Sequence, residues 1–180
     1  MNCLQCEKTM SISVAPIYHY KESGLTNVYL KDSATIYKCG CGNQFIEIPT
    51  IERLNDAIAY AILIKRSLVA PAEFRFLRKW IGLTAEKLAT SLGVKSRHSI
   101  SYWENGKRSI TAAIDHAMRL LVLRLKEQKI KRRMNIEIED YLRQTAKKPS
   151  KSERITIDSA TIRNLPFPPS SAAHRAEVTI

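Results

Sequence analysis

Apolar residues in the first fifty positions come in short strips or alternate with polar ones. On that pattern residues 11–14, 27–30, 34–37 and 44–48 each read as a strand, with Gly24 near a turn. At Pro49 the period changes. Ile51, Leu54, Ile58, Ala61 and Ile62 recur at helical spacing behind Thr50, which can cap them, and Pro71 opens a further helix. In that helix Phe74, Leu77 and Ile81 should face a core while Arg75, Arg78 and Lys79 stay solvated. Leu88, Ala89 and Leu92 give a third helix its apolar face; Ile100 and Trp103 do the same for a fourth. Behind Thr111, the residues Ile114, Ala117, Met118, Leu121 and Leu125 make one stripe of a long helix. Leu120 and Leu123 lie off that stripe, so a second buried contact is expected. Residues 134–142 suit one or two more amphipathic turns. From Thr145 onward Ser, Pro, Ala and Lys dominate, and the prolines at 166–169 forbid regular helix. An extended or flexible tail is expected there, in which Ile155, Ile157, Leu165 and Phe167 could dock as a strand or loop.

The pattern therefore predicts an α+β protein in four parts. These are a small antiparallel β domain (1–49), a connecting helix and linker (50–70), an all-α domain (71–145) and the tail (146–180). Within the α domain, residues 83–106 carry the local signals of two helices joined by a tight turn. Thr84 can cap the first, Gly93 breaks it, Val94 is the apolar turn residue, Ser96 or Ser99 can cap the second, and Gly106 ends it. The string GLTAEKLATSLGV followed by ISYWENGKRS resembles the Xre/Cro-type helix-turn-helix. In this chain the step from Val94 to Trp103 is one residue longer than that family's usual spacing.

Charge sharpens the picture. The chain carries a formal net charge of +12, and it is unevenly placed. Residues 1–50 hold four basic and four acidic side chains, whereas residues 51–148 hold twenty-one against ten. The excess lies with the helix-turn-helix, where a phosphate backbone would need it. The run from Lys126 into Arg133 also suits a solvated face. With 180 residues and 44% hydrophobic content, two small cores fit better than one. No run of 18 apolar residues occurs, and Cys3 and Cys6 stand where a secretory leader would need a basic and then an apolar stretch, so a cytoplasmic protein is expected.

All four cysteines fall within the first 41 residues as two close pairs, Cys3 with Cys6 and Cys39 with Cys41. In a reducing compartment this favours metal over disulfides, and four thiolates make a closed tetrahedral site suited to structural zinc. A three-cysteine site completed by His19, or no metal at all, are the alternatives. Cysteine pairs on a small β domain followed by an Xre-like helix-turn-helix resemble the MqsA-type antitoxin family with its YgiT-type zinc finger. The second pair departs from that family, which has Cys-x-x-Cys where this chain has Cys39-Gly40-Cys41. The resemblance implies a structural Zn2+ in the first domain, which can contact a toxin, and a second domain that forms a homodimer and binds a double-stranded DNA operator.

For the second helix of the motif, running from about residue 97 to 105, Ile100 and Trp103 should point inward and Glu104 should brace the fold. Arg97, His98, Ser99, Ser101 and Tyr102 are then left to meet base edges, and Lys95, Ser96, Lys107 and Arg108 to hold phosphates. The leading function is a transcriptional repressor, the antitoxin of a toxin pair that controls its own operon. A prophage or general regulator without a toxin, and a zinc-domain interaction module, are the competitors. A hydrolase using His98, His116 or Asp115 is the weakest reading, since the chain has no paired carboxylates, no Ser/His/Asp set and no phosphate-binding glycine loop.

Overall fold

A computed structural model describes residues 1–130, 149–165 and 177–179. Strand β1 (Ser11–His19) pairs antiparallel with the long β2 (Val28–Lys38) across a turn in which the Gly24 N–H donates to the Lys21 carbonyl at 2.9 Å. The strips at 27–30 and 34–37, expected as two strands, are one strand with an irregularity. Ala15 faces Ala34 and Ile17 faces Lys31, so Asp32 and Ser33 together stand opposite Pro16. Pro16 has no N–H to give to the ladder, and Asp32 takes the left-handed conformation (φ 48°) that a short polar side chain tolerates. β3 (Gln44–Glu47) pairs antiparallel with the C-terminal half of β2. The other half of that edge is taken by β4 (Ile155–Ile157), which runs parallel to β2, and β5 (Glu177–Thr179) pairs with β3.

Among the described residues five helices lie between β3 and β4, and one short helix follows β4. They are α1 (Ile51–Ile64), α2 (Pro71–Trp80), α3 (Ala85–Ser91), α4 (Arg97–Glu104) and α5 (Ala112–Ile130), with α6 (Ser159–Arg163) after β4. Thr50 stands at the start of α1 but its side chain makes no capping bond. Helix α1 buries Leu54, Ala57, Ile58, Ala59, Ile62 and Leu63, a band too wide for one contact, and it touches α2, β4 and α6. The expectation of two separate cores gives way accordingly. One continuous cluster runs from Leu30 and Ile46 of the sheet through α1 to Leu77, Leu88 and Ile100 of the helices, and a small satellite forms around Cys3, Met10 and Cys39.

Residues 149–157 close over the junction of α1 and α2. Ser150 Oγ donates to the Val69 carbonyl, Lys65 Nζ to the Lys151 carbonyl, and Ser67 Oγ to Glu153. The Asn27 amide donates to the Glu153 carbonyl, and the Arg154 guanidinium lies 4.1 Å from the centre of the Tyr29 ring. Ile155 and Ile157 are buried, so two of the apolar spots of the tail dock as a strand. The amphipathic turns expected at 134–142, the basic run beyond Ile130 and the segment at 166–169 with Phe167 lie outside the described residues.

Helix α5 presents a different face from the expected stripe. Asp115, Met118, Arg119, Val122 and Leu123 are buried, while Ile114, Ala117, Leu121 and Leu125 are half-buried and Leu120 is exposed. The reason is a buried ion pair. Arg119 Nε donates to Asp115 Oδ2 at 2.7 Å and Nη1 donates to the Ile62 carbonyl at 2.8 Å and to that of Leu63. Its Nη2 reaches the Ser67 carbonyl at 3.1 Å and Asp115 Oδ1 at 3.2 Å. The guanidinium thus terminates α1, whose last carbonyls have no helical partner. Asp115 Oδ1 accepts from the Val69 N–H at 2.8 Å and fixes the loop into α2.

Candidate nucleic-acid interface and metal centre

Helix α3 begins at Thr84, whose Oγ1 accepts from the Lys87 N–H at 3.2 Å, as its sequence position suggests. It ends at Gly93 (φ 66°), where the Val94 N–H reaches back to the Ala89 carbonyl at 2.9 Å; only a residue free of Cβ strain closes a helix this way cheaply. Of the two serines able to cap the next helix, Ser96 does so, its Oγ accepting from the His98 N–H at 3.0 Å. The longer step from Val94 is absorbed in residues 94–96, and α4 begins at Arg97.

Ile100 and Trp103 are buried, and Trp103 meets Phe74 of α2 edge-on with ring centres 6.0 Å apart. Glu104 is buried and braces the fold. Arg78 of α2 donates to both its oxygens and to the Leu83 carbonyl, and Arg75 approaches it at 3.4 Å. Arg78 is therefore a clamp between α2 and α4, contrary to the solvated role expected of it, while Lys79 is exposed as expected. With the inner face used, Arg97, His98, Ser101 and Tyr102 are exposed and Ser99 is half-exposed on the outer face of α4. Lys95, Lys107 and Arg108 flank them and are exposed; Ser96 is half-exposed.

Residues 74–114 match a helix-turn-helix family model. Comparison of the chain with curated proteins and with solved structures gives no match. The match spans most of α2 through the start of α5 and supports a DNA-binding transcriptional regulator with an Xre/Cro-like helix-turn-helix. No described helix is long and apolar enough to cross a membrane. The three residues weighed for a hydrolase are differently employed or placed: Asp115 is fully buried and committed to Arg119 and Val69, His98 is exposed on the outer face of α4, and His116 lies on α5.

Beside the sheet, in the satellite cluster around Met10, the four cysteines converge. Their sulfur atoms all lie within 4.8 Å of one another, with Cys3 Sγ 3.6 Å from Cys41 Sγ and Cys6 Sγ 3.4 Å from Cys39 Sγ. Four sulfurs about 2.3 Å from a tetrahedral zinc stand about 3.8 Å apart, so the cluster fits such an ion with small adjustments. Two backbone knuckles present them. In the first the Glu7 N–H donates to the Cys3 carbonyl, and Glu7 itself is left-handed (φ 58°); in the second Gly42 takes that conformation (φ 93°) and donates to the Cys39 carbonyl. The one-residue gap of Cys39-Gly40-Cys41 does not prevent convergence. His19 is not part of the cluster: its Nε2 lies 2.9 Å from the Thr26 carbonyl oxygen and its ring stacks on Tyr29.

The thiols differ in acidity for reasons visible in the geometry. The Asn43 side-chain N–H, 3.4 Å from Cys3 Sγ, and the Gln5 backbone N–H hold Cys3 down to about 6. For Cys6 the Lys8 backbone N–H acts in the same sense, but the neighbouring Cys39 and Cys41 sulfurs and burial outweigh it and push the thiol up to about 12. A divalent cation among the sulfurs reverses this preference, because it replaces the protons that otherwise separate them. Four close cysteines of this kind can bind a metal such as zinc. Asn43, two residues past Cys41, is the outer partner that orients Cys3, and nothing in the sequence pattern singles it out.

Proposed function

We propose that the protein is a sequence-specific repressor that binds operator DNA as a homodimer in the cytoplasm, and that it is the antitoxin of a type II toxin pair controlling its own operon. The observation that carries the DNA reading is α4, which buries Ile100 and Trp103 and turns Arg97, His98, Ser101 and Tyr102 outward within the most basic part of the chain. Arg97 pairs with a guanine edge, Tyr102 meets a thymine methyl or a phosphate, and His98, Ser99 and Ser101 complete the base contacts. Lys95, Lys107 and Arg108 hold phosphates. Ser96 joins them with its hydroxyl proton, since its oxygen is occupied as the α4 cap. Cys3, Cys6, Cys39 and Cys41 hold one structural zinc, and the β domain around it contacts the toxin, as the resemblance to MqsA-type antitoxins suggests. Recovery of a stoichiometric small protein on the tagged chain from its own host supports the antitoxin role, and its absence leaves a regulator without a toxin.

Arg97→Ala is expected to cost roughly 1–3 kcal/mol on the preferred duplex and to flatten the preference for it, whereas Lys107→Ala weakens all duplexes alike. Titrations on preferred and scrambled duplexes decide between the two roles. Equal loss on both duplexes for Arg97→Ala removes it from base reading. For the dimer, the outer side of α5 offers Ala113, Ala117, Leu120 and Leu121, all at least partly exposed, with Leu120 at 45%. Leu120→Glu leaves the core untouched and is expected to turn a dimer into a monomer in sedimentation velocity; a dimer indifferent to it does not use this face.

A further inference from the structure

The hydroxyl of Ser101 is placed differently from those of Thr90 and Ser91 on α3. On α3, Thr90 Oγ1 donates back to the Glu86 carbonyl at 3.2 Å and Ser91 Oγ to the Lys87 carbonyl at 2.9 Å, so their protons are used inside the helix. Ser101 is exposed in the middle of the outer face of α4, and among the described residues its Oγ donates to no partner. It is held instead as an acceptor. Asn105 Nδ2 lies 2.8 Å from the Ser101 carbonyl oxygen and 3.2 Å from Ser101 Oγ.

The orientation of that amide is settled twice by chemistry. Arg75 Nη2 lies 2.7 Å from the other Asn105 side-chain atom, and a guanidinium can only donate, so that atom is the oxygen. The Ser101 carbonyl can only accept, so the atom facing it is the NH2. Arg75 is fixed in turn by Glu104, 3.4 Å from its Nε. A chain of donors therefore runs from α2 to the outer face of α4 and ends on one lone pair of the Ser101 oxygen.

We infer that the Arg75–Asn105 relay makes Ser101 a hydrogen-bond donor toward the DNA, with Asn105 and Arg75 as positioning residues. In the major groove such a group favours an acceptor, a purine N7, guanine O6 or thymine O4, over the amino groups of cytosine and adenine, which meet only its one remaining lone pair. This rests on the proposed DNA reading of α4 and adds to it the polarity of one contact. Asn105→Asp reverses that polarity: the new carboxylate still accepts from Arg75 but has no N–H to give, so it accepts the Ser101 proton and leaves the serine lone pairs facing the groove.

The test uses the full-length protein and a pool of duplexes randomised over the bound site. Wild type selects a site; Ser101→Ala is expected to lose discrimination at one base pair by roughly two- to tenfold, the range of one hydrogen bond. Asn105→Asp is expected to move the preference at that same base pair toward an amino-bearing edge, whatever its lower overall affinity from the added negative charge. Both positions are exposed, so the core is unaffected. A site selected by wild type whose base preferences are unchanged in both variants overturns the donor role of Ser101 alone. Failure of wild type to select any site overturns the DNA reading of α4 and this inference with it.

Discussion

Arg119→Met is expected to destabilise the protein by about 3–5 kcal/mol, the range for removing one partner of a buried ion pair. The side chains of Arg119 and Asp115 are 1% and 0% exposed, and every guanidinium N–H has an acceptor, two on Asp115 and three on the carbonyls of Ile62, Leu63 and Ser67. Methionine fills much of the volume but leaves the Asp115 charge buried and three carbonyls unpaired. Arg119→Lys keeps the charge, yet three donors on one nitrogen cannot reproduce contacts that spread around a planar fork, so it too is expected to lose well over 1 kcal/mol. Arg124→Met, one turn away and exposed, should change stability by no more than about 0.5 kcal/mol. Urea unfolding followed by tryptophan fluorescence measures all three. If Arg119→Met and Arg124→Met unfold at the same midpoint, the clamp does not hold α1 to α5.

Purified protein is expected to hold one zinc per chain, and Cys3→Ser to weaken that zinc by more than about a hundredfold, beyond the range for losing only a hydrogen-bond partner of a ligand. Asn43→Ala removes such a partner and should fall in the range of about ten- to a hundredfold. Because the cysteine satellite is separate from the main core, chelation should expose the amides of residues 2–10 and 39–43 to exchange while the helices stay formed. The pH dependence has a definite sign. In the metal-free protein Cys3, held down to about 6, is a thiolate at neutral pH, and its stabilising contribution is present above its unfolded value near 9 and fades as pH falls through 6. Cys6, pushed up to about 12, is protonated there, so zinc must displace its proton and binding weakens as pH falls. Calorimetric titration in buffers of different ionisation enthalpy reads that proton release. Retention of a full zinc by Cys3→Ser would falsify the four-thiolate site.

Much of the interface was legible because its signals are local. The caps at Thr84 and Ser96 and the break at Gly93 are decided by residues within one helical turn, and the inward placing of Ile100 and Trp103 follows from helical period alone. The cysteine pairs were legible as chemistry, although only the structure brings the sulfurs of two knuckles 33 or more residues apart within 4.8 Å. Harder to see were residues whose role depends on a distant partner. Arg78 looks like any solvated helix arginine until Glu104 arrives beneath it, and Asn105 looks like a helix-end residue until Arg75 orients its amide.

The α+β class, the helix-turn-helix with its caps, the face that α4 turns outward and the four cysteines as candidate ligands are all written in neighbouring residues. Each depends on short-range periodicity, turn chemistry or ligand type. Long-range packing, by contrast, makes α1 core on more than one side, merges two expected cores into one, and brings Ile155–Ile157 to an edge of β2. It likewise turns the buried side of α5 toward Asp115 and Arg119. An Asp and an Arg four residues apart read as a surface pair on any helix. They can enter the interior here because the end of α1 and the loop after it bring carbonyls and an N–H to meet them, and those groups come from positions 46 to 57 residues away.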